Sequence, residues 1–176
     1  MVVVAEGAAT PDRLETVWQA VADDLSSVEP QDADPVALAG LYDDLYGMFT
    51  EVGVTDVSAR LALPADYVCF LALAGGDRWW RHSTYDESSF CLFGIDRVWS
   101  ATDFSCRLWA DRRPAGEPMW LTVAALSDRS ELALCCDRAD PRFGAVVECH
   151  DDHPWHAGNG LFSPRASFTD FLASLS

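Results

Sequence analysis

The chain has 176 residues, 49% of them hydrophobic, with 28 acids against 12 bases and a net charge of −16. That is enough apolar material for one cored domain, which excludes a globally disordered chain, and no apolar run approaches the roughly 20 residues needed to span a bilayer. The acidity repels phosphate, so it disfavours nucleic acid as a partner and suits either solvation or attraction to a basic protein.

All twelve bases are arginine. Residues 1–58 hold twelve acids and one arginine, Arg13, whereas residues 59–176 hold sixteen acids and eleven arginines. The opening MVVVAEGAATPD lacks the basic segment of a signal peptide, and a cytoplasmic protein is expected. Thr10 and Pro11 supply a cap and a first position for a helix predicted over 10–27, with Leu14, Val17, Trp18, Val21 and Leu25 on one face. A polar EPQDAD connection leads to a second helix at about 35–52, capped by Asp34. Its apolar stripe is Leu38, Leu41, Tyr42, Leu45, Phe49 and Val52; Asp43, Asp44 and Glu51 lie opposite, and Gly53 ends it. The two read as an antiparallel hairpin with an acidic outer face.

Thr55 is placed to cap a short helix through about Leu61. In LPADYVCFLALAGG (63–76) Pro64 opens a helix whose Tyr67, Phe70, Leu71 and Ala74 share a face. Gly75 and Gly76 stop it through positive φ. Trp79 and Trp80 follow. On a strand they point to opposite faces, so that either both cap the core or one is an exposed anchor beside Arg78 and Arg81. SFCLFG (89–94) reads as a strand; residues 95–113 are ambiguous, with a short helix in their middle. MWLTVAAL (119–126), ELALCCD (131–137) and GAVVECH (144–150) are strand-like runs separated by turn residues, which predicts an antiparallel meander. SFTDFLASL closes the chain as a helix capped by Ser167, with Phe168, Phe171, Leu172 and Leu175 inward. The fold class is α+β: a mostly meander antiparallel sheet with helices packed on it, an N-terminal helical hairpin and a C-terminal closing helix.

Reactive residue types are few. Six cysteines without a CxxC pair, most in apolar segments, read as reduced packing residues. In CHDDHPWH (149–156) His150, His153 and His156 stand beside Asp151 and Asp152, which are metal-ligand types, but Pro154 interrupts helical i, i+3 geometry. The favoured reading is a solvated or interface loop; the alternative is a small metal-dependent hydrolase using the three histidines and Asp152. There is no GxSxG, glycine-rich phosphate loop or HExxH. The pairs Asp23-Asp24 and Asp43-Asp44 read as solvated helix faces rather than general acid and base.

Taken in order, these words resemble the SUKH superfamily, the domain of fungal SMI/KNR cell-wall synthesis regulators and of many bacterial immunity proteins. ARLALPADYVCFLALAGG carries Leu63, Pro64, Tyr67, Phe70, Leu71, Gly75 and Gly76 where that family has "LP…Y..FL…NGG". Phe93-Gly94 matches its "FG" turn, Asp137, Gly144, Val146 and His150 match its "D…G.V..WDH" strand pair, and ASFTDFLASL matches its last helix. The likeness covers about residues 55–176. It departs at LA for the usual LG, at Ala74 for Asn and at Cys149 for the Asp of "WDH". The N-terminal hairpin is also longer than the usual single helix. The resemblance implies a single domain over 1–176, with 55–176 as its core and 1–54 as an acidic helical extension. It further implies a non-enzymatic protein without cofactor or metal that binds and neutralises a cognate toxin, often a nuclease, or else a regulatory scaffold as in the fungal relatives. Neither nucleic acid nor membrane is an expected partner. The loop after the glycine pair lies near the family's recognition surface, which makes Trp79, Trp80, Asp86 and Glu87, together with Asp151, Asp152 and Trp155, the candidate partner-binding residues.

Overall fold

The computed structural model describes residues 2–30, 34–80, 90–108, 110–126, 130–149 and 163–175, residues 26–30 through their backbone. Among them run β1 (Val4–Ala5), α1 (Pro11–Val21), β2 (Leu25–Pro30), α2 (Pro35–Glu51), α3 (Val57–Arg60), β3 (Leu63–Pro64) and α4 (Ala65–Ala74). Then come β4 (Gly76–Trp80), β5 (Phe90–Leu92), α5 (Ile95–Leu108), β6 (Trp120–Leu126), β7 (Glu131–Cys135), β8 (Val146–Cys149) and α6 (Phe168–Ala173). The fold is α+β. One antiparallel sheet has the strand order β2-β4-β5-β6-β7-β8, and β1 and β3 form a separate parallel pair. The meander over β6, β7 and β8 is as expected, with a register shift between Thr122 and Ala124.

The first helix is shorter than its periodicity indicates. Thr10 caps it, accepting from the Arg13 amide at 3.4 Å, but it ends at Val21 and a 3₁₀ turn spans Ala22–Asp24. Leu25–Pro30 is then edge strand β2, pairing Leu25 with Trp80 and Ser26 with Trp79. The expected helical hairpin is therefore corrected. A strand separates the two helices; α1 packs on α4 and α6, and α2 packs on α5 and α3. Leu25 satisfies a helical stripe and a buried strand equally well, and the ladder offered by β4 decides between them. The ambiguous 95–113 stretch holds a full helix, α5, whose buried positions Ile95, Val98, Thr102 and Cys106 keep helical spacing. The short α3 is preceded not by a Thr55 cap but by Asp56 in the left-handed region, at φ 56°.

The sheet is clothed on two faces. On one, Trp80 stacks on Phe90 (6.2 Å), Phe90 meets Phe171 of α6 edge-on, and Arg78 lies over Trp18 of α1 at 5.6 Å. On that side α4 and α6 interlock through Tyr67, Phe70 and Phe168, with ring centroids 4.7–6.0 Å apart. On the other face α5 is tied to the strands. The Thr122 amide donates to Thr102 Oγ1 (3.0 Å), Ser105 donates to Glu131 (2.9 Å) and Arg97 reaches Cys91 Sγ (3.5 Å). Gly75 and Gly76 have φ of 60° and 118°, which lets the chain pass from α4 into β4 without a connecting loop.

Candidate functional site

The Trp79–Trp80 pair is divided between the two faces. Trp80 is 8% exposed and belongs to the core; Trp79, 37% exposed, lies on the opposite face in register with Cys91. Trp80 is thus buried away from any partner, and of the two it is Trp79 that is open to contact. Strand alternation alone produces this split. Beside Trp79, Asp77 accepts from the Gly94 amide (2.7 Å) and from Arg97 (2.9 Å), and the Arg97 guanidinium sits 4.4 Å from the Phe93 ring centroid. The arginines flanking strand β4 therefore have internal duties: Arg97 braces α5 against it, and Arg78 donates to the Ala74 carbonyl at the end of α4 (2.7 Å). The other candidates, Asp86, Glu87, Asp151, Asp152 and Trp155, lie outside the described residues, as do all four histidines, including His150, His153 and His156.

Two concavities lined by described residues bear on chemistry. Beneath α5, a cavity of about 30 Å³ is lined by Thr102, Ser105, Cys106, Trp120, Thr122, Glu131, Ala133 and Cys149. It has room for one water rather than a substrate. Its polar groups already engage one another, with Ser105 and Thr122 converging on the Glu131 carboxylate at 2.9 and 3.3 Å. The second, open and about 440 Å³, lies along Pro164, Arg165, Ala166, Asp170, Ala173 and Ser174, with Asp170 held by Arg13 at 2.5 Å. All six cysteines are free. Burial pushes the thiols of Cys91 and Cys106 up to about 11 and those of Cys135 and Cys149 up to about 12, which suppresses the nucleophilic thiolate. Among the described residues no three His, Cys, Asp or Glu side chains are grouped to hold a metal ion.

The charge distribution is more informative than the cavities. Arg13, Arg60, Arg97, Arg107 and Arg142 pair with acids of this chain: Asp170, Asp137, Asp77, Glu51 with Asp103, and Asp140. Arg78, Arg113 and Arg138 are aimed at backbone carbonyls. Most of the positive charge is thereby held in bracing contacts. Among the described residues Asp12, Asp23, Asp24, Asp43, Asp44 and Asp111 make no ion pair, and they stand on α1, the turn after it, α2 and the turn after α5. The outward field of this helical surface is negative. Sequence reasoning located Asp23, Asp24, Asp43 and Asp44 but neither Asp111 nor the internal use of the arginines, which depends on contacts as distant as Arg13 with Asp170.

Comparison of the chain with protein-family models, with curated proteins and with solved structures finds no match. No helix of the described residues is long and apolar enough to cross a membrane.

Proposed function

We propose that the chain is a non-enzymatic protein-binding domain of the SUKH type, acting as an immunity protein that captures and neutralises a cognate toxin with a basic active-site cleft. The observation that carries this reading is the unpaired acidic surface on the helices of a protein of net charge −16. An enzyme that works on nucleic acid presents a basic cleft, and an acidic inhibitor meets such a cleft quickly through long-range attraction. The reading also draws on the sequence resemblance, whose words fall on the α4 helix with its glycine stop, the β6–β8 meander and the α6 helix.

The test is co-expression. The C-terminal region of the protein encoded beside this gene is produced in a sensitive host with and without this chain. Loss of growth that the chain restores, with a complex recovered by size exclusion, supports the reading; a neighbour that is harmless, or that kills regardless, removes it. For a purified pair, raising salt from about 50 to 500 mM, where the screening length falls from about 14 Å to about 4 Å, slows association more than it speeds dissociation. An association rate indifferent to salt removes the steering argument.

A further inference from the structure

Of the described arginines, Arg165 alone makes no hydrogen bond or ion pair through its side chain; every other one is held by an acid, a carbonyl or another contact within the chain. Its Nε is buried and meets no acceptor. A dry, unpaired donor is rare in a folded protein and asks for a reason. The residue is not a loosely tethered surface cation. Pro164 restricts the chain before it, and its own amide and carbonyl exchange hydrogen bonds with Val146 of edge strand β8, at 2.9 and 3.0 Å. The enclosed Nε anchors the root of a guanidinium whose two terminal nitrogens are not enclosed.

Arg165 is also the one cation lining the open concavity of about 440 Å³, with Pro164, Ala166, Asp170, Ala173 and Ser174. The other polar side chains there are already used. Asp170 accepts from Arg13 at 2.5 Å, and the Ser174 hydroxyl donates to the Phe171 carbonyl at 2.6 Å. With Arg13 offsetting Asp170, the charge left over is that of Arg165, a positive spot in a chain of net charge −16. The rest of the lining is small and apolar, and the volume falls within the roughly 300–1,000 Å³ of small-ligand sites.

We propose that this concavity is a carboxylate-binding site, in which the terminal nitrogens of Arg165 donate to the two oxygens of a carboxylate while Pro164, Ala166 and Ala173 take the aliphatic carbons beside it. The planar guanidinium fork matches a carboxylate in two parallel hydrogen bonds. Phosphate is the poorer ligand. Recognition of a dianion draws on clustered arginines, and here Arg13 is committed to Asp170, whose carboxylate repels the second charge. Such a site uses none of the unpaired acids on which toxin binding rests.

The probe is N-acetylalanine, titrated into ¹⁵N-labelled protein at about pH 6, where a carboxyl group of ordinary pKa is ionised. N-acetylalaninamide is the neutral match and inorganic phosphate the competing anion. The sheltered Arg165 Nε–H supplies a side-chain signal to follow beside the backbone amides of Ala166, Asp170, Ala173 and Ser174. N-acetylalanine is expected to shift these signals saturably, and the amide to bind at least tenfold more weakly. R165Q is expected to abolish the backbone shifts with circular dichroism and melting temperature retained. R165K, which keeps the charge but not the fork, is expected to bind at least fivefold more weakly. R107Q, which removes one positive charge from exposed α5, is expected to bind within twofold of the parent. Shifts that do not saturate in the millimolar range, undiminished binding by R165Q or R165K, equal binding of the amide, or an equal loss in R107Q overturns the site. Phosphate bound more tightly than N-acetylalanine overturns the carboxylate assignment. A peptide ending in a free alanine carboxylate separates the two sources: a tenfold tighter fit than N-acetylalanine assigns a chain end, equal affinity assigns a small free acid, and either supports the site.

Discussion

Asp66 is the buried acid on which the helical layer turns. It stands in the first turn of α4 at 1% exposure and accepts three hydrogen bonds: from the Tyr67 amide at 2.9 Å, and from the amide and hydroxyl of Thr169 in α6 at 3.0 and 2.9 Å. Asp66→Ala leaves both Thr169 donors in the core without acceptors. Each such loss is about 1.5–3 kcal/mol, so the variant is expected to lose about 3–5 kcal/mol of an ordinary 5–15 kcal/mol. Asp66→Asn keeps the shape and one acceptor oxygen and is expected to lose about 1–3 kcal/mol. Burial, opposed by the Thr169 and Tyr67 hydrogen bonds, raises the Asp66 carboxyl above its ordinary value. The folded state then holds this proton more tightly than the unfolded state. The stabilisation from Asp66 is complete below its unfolded pKa of about 3.9 and declines as pH rises through the folded value. Urea unfolding followed by tryptophan fluorescence from pH 4 to 8, parent against Asp66→Asn, reads this directly. The penalty of the asparagine variant is expected to shrink with rising pH and then level off. A penalty that grows with pH means that the hydrogen bonds outweigh burial and refutes the reasoning; a loss under about 1 kcal/mol in Asp66→Ala refutes the importance of the α4–α6 tie.

Other expectations concern single contacts. Trp80→Ala removes a core ring stacked on Phe90 and is expected to lose about 3–5 kcal/mol, whereas Trp79→Ala is expected to stay within about 1 kcal/mol; equal losses in urea melts contradict the division of the pair between the two faces. Asp137→Ala strips the carboxylate that Arg60 Nε meets at 3.0 Å and the Ala139 amide at 3.1 Å, freeing α3 from the β7–β8 turn. A loss of about 3 kcal/mol is expected in the same assay, and near-neutrality shows that water replaces the contact. At pH 8 a disulfide reagent is expected to modify half-buried Cys69 first and the other five thiols only as fast as the chain opens. More than one rapid thiol contradicts the burial that raises their pKa values.

Where an element depends on neighbours within a turn or two, the sequence was a sound guide. Asp34 and Ser167 cap α2 and α6 as their positions indicate, accepting from the Ala37 and Asp170 amides at 2.8 and 3.0 Å. Gly75 and Gly76 take the positive φ that stops α4. Helix α5 was obscured because its buried stripe includes Thr102, a polar residue that counts against an apolar pattern; its hydroxyl faces inward to accept the Thr122 amide. The Trp79–Trp80 site was legible as a pair on opposite faces, but not as to which ring is covered.

Length, acidity, the caps of α1, α2 and α6 and the glycine stop of α4 were therefore settled by the chain alone, since each rests on local backbone preference or composition. The tertiary structure decided what passes through distant partners. Leu25 joins a strand because β4 offers a ladder. Trp80 is buried because Phe90 stacks on it. Asp66 bonds to Thr169, 103 residues away. Phe104 and Leu108 look like two more apolar residues of α5 until the assembled layers leave them exposed. Periodicity reports which side of a helix is apolar; only the assembled layers determine which apolar positions remain uncovered.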